Sequence, residues 1–159
     1  MFQVFAATAY DGSAKELIHR LKFGRAQAAA LDIARVMTRR IPRGVDWLVV
    51  HVPTASTRIR ARGYDQAQRI AREVARQLGV PYLPMLVREG AQRQLGQSRK
   101  TRQQQMRSAF RVIHRASLQG KHVLLIDDVL TTGATCEAAA TVLKDAGAAR
   151  VSAAVFAAA

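Results

Sequence analysis

Asp127 and Asp128 follow four consecutive apolar residues, Val123, Leu124, Leu125 and Ile126, and stand just before Thr131, Thr132, Gly133, Ala134 and Thr135. An adjacent acid pair can accept hydrogen bonds from sugar hydroxyls and help to hold a divalent metal. The Thr/Gly segment offers hydroxyl donors, a Gly for close backbone approach and the first free N–H groups of a helix, which together suit a phosphate. Acids for a diol and a cup for a phosphate, set in one short string, describe a site for a ribose 5-phosphate. The competing reading is a strand, an acidic turn and a helix cap with no ligand, and it leaves three separate residue choices without a use.

Such a site has to be positioned by its neighbours. An unbroken β-prone run is expected of a strand covered on both faces in a parallel sheet, and ligands bind at the carboxyl ends of such strands. Two acids are unlikely to be buried there without partners. Upstream, residues 1–9 read as a strand or a loose lead-in. Ser13 and Glu16 are spaced as a capping box for a helix reaching about Lys22, and a second helix is expected over Gln27 to Arg40. Trp47 to Val52 reads as a central strand, Asp65 to Leu78 as a helix closed by Gly79, and Val80 to Val87 as an edge strand interrupted by Pro81 and Pro84. Ala109 to Ile113 suggests a short strand, Ala134 to Ala146 a helix, and Val151 to Phe156 a last strand. Strands alternating with helices at this spacing imply an α/β fold, a mostly parallel sheet flanked by helices with right-handed crossovers.

Cations supply the second half of the chemistry. Arg58, Arg60 and Arg62 fall in an expected loop after the Trp47 strand, where three guanidiniums repel one another unless an anion sits among them. Pyrophosphate suits, because Arg presents a planar fork to phosphate oxygens. A solvated basic turn is the plain alternative. Residues 88–108 are rich in Arg and Gln with little periodicity. They read as a long loop able to close as a lid over pyrophosphate, with Arg99, Lys100 and Arg102 as candidates.

Bulk properties agree. The 159 residues carry a formal net charge of +14, which points to phosphorylated or polyanionic partners. Residues 88–115 hold eight Arg/Lys against one acid, whereas 116–159 hold three against four, so the excess lies outside the acid-pair string. The expectation is one domain over 1–159, with a helical N-terminal part at 1–45 and a ligand-binding core at 46–159. The single cysteine, Cys136, excludes an internal disulfide and a cysteine-cluster metal site, which fits a reducing cytoplasm. Neither a signal peptide nor a membrane span is apparent.

Other side chains weigh less. Cys136 lies at a helix start, where a thiol pKa can fall, yet a small packing residue is the simpler role. His51 in an apolar strand reads as a satisfied core histidine rather than a base. His19, His114 and His122 lack ligand-like spacing. Tyr64 suits either stacking on a base or packing on the following helix.

The string VLLIDDVLTTGAT, Val123 to Thr135, resembles the phosphoribosyl diphosphate (PRPP) signature of type I phosphoribosyltransferases. The wider pattern resembles the ComF family: YDGSAKELIHRLKF at Tyr10 to Phe23, VHVP with RIRARGYDQA within Val50 to Ala67, MRSAF at Met106 to Phe110, and then the signature. The resemblance implies a type I phosphoribosyltransferase-like fold and a PRPP pocket. In it Asp127 and Asp128 hold the ribose and Thr131, Thr132, Gly133, Ala134 and Thr135 hold the 5-phosphate. It also implies a role in competence and DNA uptake, with a cytoplasmic DNA translocase or helicase as partner. Two departures stand out. The four-cysteine zinc module common at the start of that family is absent from this sequence, and Gln105 stands where the family usually has Asn. Little sequence follows the last expected strand to form a base-binding hood.

The leading expectation is Mg²⁺-assisted phosphoribosyl transfer from PRPP. Asp127 and Asp128 serve as catalytic residues and indirect metal ligands, and Arg58, Arg62, Lys100 and Arg102 take the pyrophosphate. The rival is a non-enzymatic DNA-uptake factor that binds single-stranded DNA through its basic segments.

Overall fold

A computed structural model of the chain describes residues 3–23, 26–89 and 109–159. Its centre is β5 (His122–Leu130), which pairs in parallel with β6 (Arg150–Ala158) on one side and β2 (Trp47–His51) on the other. β1 (Val4–Ala9) extends the sheet from the far edge of β6, giving the order β1-β6-β5-β2 with every pairing parallel. Val123, Leu124, Leu125 and Ile126 are each fully excluded from solvent. The pleat sends alternate side chains to opposite faces. Leu124 and Ile126 join a core with α1 (Gly12–Phe23), α2 (Ala26–Thr38) and α4 (Gln66–Leu78). Val123 and Leu125 join a second core with α5 (Ala134–Asp145). That second layer also takes in a two-stranded antiparallel ribbon, β3 (Leu86–Arg88) with β4 (Phe110–Val112). The parallel α/β sandwich expected from the sequence is therefore present.

Several elements differ in detail from expectation. Residues 80–87 do not form an edge strand. Tyr82 makes one bridge to Val49, and pairing resumes only at Leu86, because Pro81 and Pro84 have no N–H to offer a ladder. The segment after β2 is not wholly loop: Ser56–Arg62 forms a short helix, α3, which ends where Gly63 adopts φ 77°. At the start of α1 the chain is already helical at Gly12, and Glu16 pairs with Arg20 at 2.6 Å instead of closing a capping box. β5 runs on through the acid pair, because Val129 and Leu130 still pair with Ala157 and Ala158 of β6.

Two-sided burial makes β5 the costliest place to open a void. Leu125→Ala should destabilise the protein by about 2–5 kcal/mol. Urea unfolding monitored by circular dichroism should show a lower midpoint with an unchanged slope.

Candidate functional site

The pleat that fills the two cores also separates the two acids. Asp127 has the parity of Val123 and Leu125 and turns toward α5, where its Oδ2 lies 3.9 Å from the Cys136 sulfur. Asp128 has the parity of Leu124 and Ile126 and turns toward the α1 side, where its Oδ2 lies 3.3 Å from Lys22 Nζ. Each acid also caps the backbone ahead of it: Asp127 Oδ1 accepts from Asp128 N at 2.8 Å, and Asp128 Oδ1 from Val129 N at 2.9 Å. Despite its ion pair with Lys22, Asp128 Oδ2 has no well-formed hydrogen bond among the described residues. Loss of solvent, and then the neighbouring Asp128 charge, push the Asp127 carboxyl well above the usual carboxylate range.

Past β5 the chain turns through Thr131 and Thr132 to Gly133, which caps α5 with φ 77°. That left-handed conformation is cheap only for Gly. The turn bounds a cup of about 40 Å³ lined by Thr131, Thr132, Gly133, Thr135 and Asp127. Ala134 is not part of this lining, and its N–H lies 3.5 Å from Thr132 Oγ1. No side chain caps α5, so first-turn N–H groups, which have no partner within the helix, are left at the end of α5 beside the cup.

A larger cleft of about 300 Å³ opens beside the cup and places Asp127, Asp128, Thr131 and Thr135 opposite Thr54 and Arg58. The facing wall, the segment after β2, is tied down by Asp65. This buried carboxylate accepts from Thr54 N at 2.8 Å, from Thr54 Oγ1 at 3.0 Å and from Gln68 N at 3.2 Å, so one residue caps α4 and fixes the loop. His51 lies behind it, with Nε2 3.9 Å from Asp65 Oδ2 and Nδ1 3.0 Å from the Tyr82 hydroxyl. Burial lowers the His51 pKa more than Asp65 raises it, which keeps the ring neutral in a core position.

The cleft thus gathers Asp127, Asp128, Thr131, Thr135 and Arg58. Arg62 lies to one side, lining an adjacent groove with its Nη1 donating to Gln66 Oε1 at 3.0 Å. Arg99, Lys100 and Arg102 lie outside the described residues. Lys22 and Arg88 reach the cleft although neither was singled out from the sequence. The only signal for Lys22 was its place in the RLKF stretch, since a lysine near a helix end has many ordinary uses. Asp65 sat in plain view in RGYDQ, but its three bonds depend on a loop brought in from β2. Cys136 is buried, and desolvation followed by the Asp127 charge push its thiol up, so it stays protonated in a packing role. The Tyr64 hydroxyl donates to the Leu21 carbonyl, which fixes its ring against α1.

Among the described residues no three His, Cys, Asp or Glu side chains converge on a metal position, and no helix is long and apolar enough to cross a membrane. Residues 65–159 match the family described as the phosphoribosyl transferase domain. The sequence is 31% identical to the DNA utilization protein YhgH of Salmonella typhi and 30% identical to that of Escherichia coli K12, in each case over 85% of this chain. The chain spans 63% of the length of these curated relatives. Two solved structures share the fold, each over 81% of this chain. One is the allosteric regulatory enzyme of purine biosynthesis, at 23% identity, a TM-score of 0.56 and 25% of that chain. The other is the glutamine PRPP amidotransferase of B. subtilis, at 21% identity, a TM-score of 0.56 and 26% of that chain.

The raised pKa of Asp127 has a definite sign for stability. The folded state holds a proton that the unfolded state releases, so stability falls as pH rises from the ordinary carboxylate range toward the folded pKa. Asp127→Asn should therefore raise the thermal midpoint at neutral pH in EDTA, by about 2–4 °C per kcal/mol relieved in a domain of this size. That gain should fade as the pH falls into the ordinary carboxylate range.

Proposed function

The chain belongs to the phosphoribosyl transferase domain family, and we propose that it binds PRPP at the carboxyl end of β5 and transfers the ribose 5-phosphate to an acceptor with the help of Mg²⁺. The observation that carries this reading is the shared cleft, in which a pleat-split acid pair opens directly into the α5 cup and faces Arg58. The 5-phosphate sits on Thr131, Thr132, Gly133, Thr135 and the first amides of α5, including that of Ala134. Asp127 and Asp128 accept hydrogen bonds from the ribose hydroxyls. Arg58 and Lys22 stand where negative charge gathers as pyrophosphate departs. Lys100, Arg102 and Arg62 are further pyrophosphate candidates, the last from the neighbouring groove.

The donor set fits Mg²⁺ held mainly through substrate. Mg²⁺ takes one or two carboxylates and fills its remaining positions with water and phosphate oxygens. Asp127 and Asp128 are two such carboxylates, with an Asp128 oxygen that lacks a well-formed hydrogen bond. When bound, the ion supplies charge neutralisation at the pyrophosphate. In the transfer, the acceptor's lone pair forms a bond to the anomeric carbon as the carbon–oxygen bond to pyrophosphate breaks. The bonding pair leaves with pyrophosphate, and the acceptor's proton passes to it or to water. Positioning and charge stabilisation do most of the work, more than a strong general base.

A second reading rests on the name of the relatives, DNA utilization protein, and on the net charge of +14. It is a DNA-uptake factor that binds single-stranded DNA and a DNA translocase in the cytoplasm. The two readings respond differently to the same change.

Isothermal titration with PRPP and Mg²⁺ tests the first reading, and no detectable heat at millimolar ligand would remove it. Asp127→Asn should abolish PRPP binding while leaving any single-stranded DNA affinity intact or raised, and that affinity should fall steeply with salt. Replacing Gly133 with Ala should weaken PRPP binding and cost about 1 kcal/mol of stability, since a side chain disfavours its left-handed backbone.

A further inference from the structure

Among the described residues Lys22 is the only cation that pairs with either acid at the end of β5, its Nζ lying 3.3 Å from Asp128 Oδ2. Both partners are largely withdrawn from solvent, with side chains 24% and 12% exposed. Arg58 and Arg88 also line the cleft, yet neither pairs with a carboxylate among the described residues. The backbone just before Lys22 is fixed, because Leu21 is fully buried and its carbonyl accepts from the Tyr64 hydroxyl. What is left free to move is the lysine side chain.

The pair is poorly made for stability alone. A charge-assisted N–H···O bond closes to about 2.7–2.9 Å. The Lys22 contact is longer, and it leaves Asp128 Oδ2, an atom shielded from solvent, without a well-formed hydrogen bond. Oδ1 is already engaged by Val129 N at 2.9 Å. Oδ2 is therefore the oxygen left for a ribose hydroxyl or a metal, and Lys22 stands against it. A lysine suits a temporary hold, since its ammonium is a point charge on a flexible four-carbon stem, whereas the arginine fork grips a carboxylate through two bonds at once. Lys22 also lines the adjoining groove with Arg58 and Arg62, so a swing of its stem carries the charge from the acid toward those cations.

We propose that Lys22 is a placeholder for the metal: before substrate binds, its ammonium neutralises Asp128 and keeps free Mg²⁺ off, and when PRPP arrives with Mg²⁺ it yields that oxygen and turns to the pyrophosphate. The inference rests on the PRPP-donor reading and adds an order to it, in which the ion enters with the substrate instead of ahead of it. Electrostatics carries the argument. Acid and ammonium cancel, so a free dication gains little from them. Without the ammonium the carboxylate is left unpaired in a partly buried position, where a dication is its natural partner.

The test titrates the full chain with Mn²⁺, a paramagnetic stand-in for Mg²⁺, in the absence of PRPP, and reads bound ion by water proton relaxation. Wild type should bind weakly, while Lys22→Met and the milder Lys22→Gln should each bind about tenfold or more tighter. Adding Asp128→Asn to Lys22→Met should abolish the gain, which locates the ion at that carboxylate. Lys22→Arg keeps the charge and should behave as wild type. Thermal unfolding of the same samples establishes that the variants fold, and Mn²⁺ should raise the midpoint of the two neutral variants more than that of wild type. Tight Mn²⁺ binding by wild type without PRPP, equal affinity in wild type and the neutral variants, or a gain that survives Asp128→Asn would overturn the proposal. Lower midpoints in both neutral variants with no gain in Mn²⁺ binding would also overturn it and leave the pair a structural salt bridge only. PRPP titration of wild type with Mg²⁺ keeps the two readings apart. PRPP binding without the Mn²⁺ gain removes the placeholder alone, whereas absent PRPP binding removes the donor reading and the exchange with it.

Discussion

Burial of β5 on both faces is the constraint on which the site depends. A strand with parallel partners on each side and helices above and below has no room for charge along its length. The acids appear just past Ile126, where pairing with β2 has ended while pairing with β6 goes on, and there the pleat that filled two cores with Val123, Leu124, Leu125 and Ile126 continues into them. Asp127 is delivered to the α5 layer and Asp128 to the α1 layer. Acids adjacent in sequence thus meet different neighbours: one carboxylate meets a thiol and the α5 cup, the other an ammonium. Their unequal surroundings follow, with Asp127 held toward its protonated form by desolvation.

Opposite them, the wall of the cleft is organised by Asp65. A loop such as Pro53 to Ala55 has few backbone partners of its own, and without an anchor its Thr54 would wander. Asp65 supplies the anchor with the same carboxylate that begins α4. The arrangement couples helix capping to the shape of the site, so a residue that would serve as an ordinary N-cap elsewhere sets the width of the cleft here. His51 and Tyr82 close the space behind it and let a charged group sit in a buried position with its hydrogen-bond capacity met.

Charge is distributed in keeping with this geometry. The acids occupy the floor, Lys22 stands at the junction, and Arg58 and Arg62 rise on the far side. α3 matters for this result, because a helix puts residues four apart on one face, whereas an irregular loop leaves their relation open. Arg58 and Arg62 are so related, and the groove they line shares Lys22 and Arg58 with the cleft that holds the acids.

The fold class, the central strand, the acid pair and the Thr/Gly cup were legible in the sequence, because each follows from local order: an unbroken apolar run, a charge break, then a small-residue helix start. Local order also marked α4, through Asp65 before it and Gly79 after it. Other features belonged to the tertiary structure. Val80 to Val87 has strand-like composition, yet Pro81 and Pro84 leave it one bridge to β2, and its end pairs instead with β4. The length of β5 past Asp128 was set by β6, whose Ala157 and Ala158 remained available for pairing. Lys22 could not be read as a site residue because its distance to Asp128 depends on how α1 packs over the sheet, across more than a hundred residues of chain. A sequence determines which groups a strand must expel from its core, but where they meet their partners is decided by the packing of elements remote in the chain.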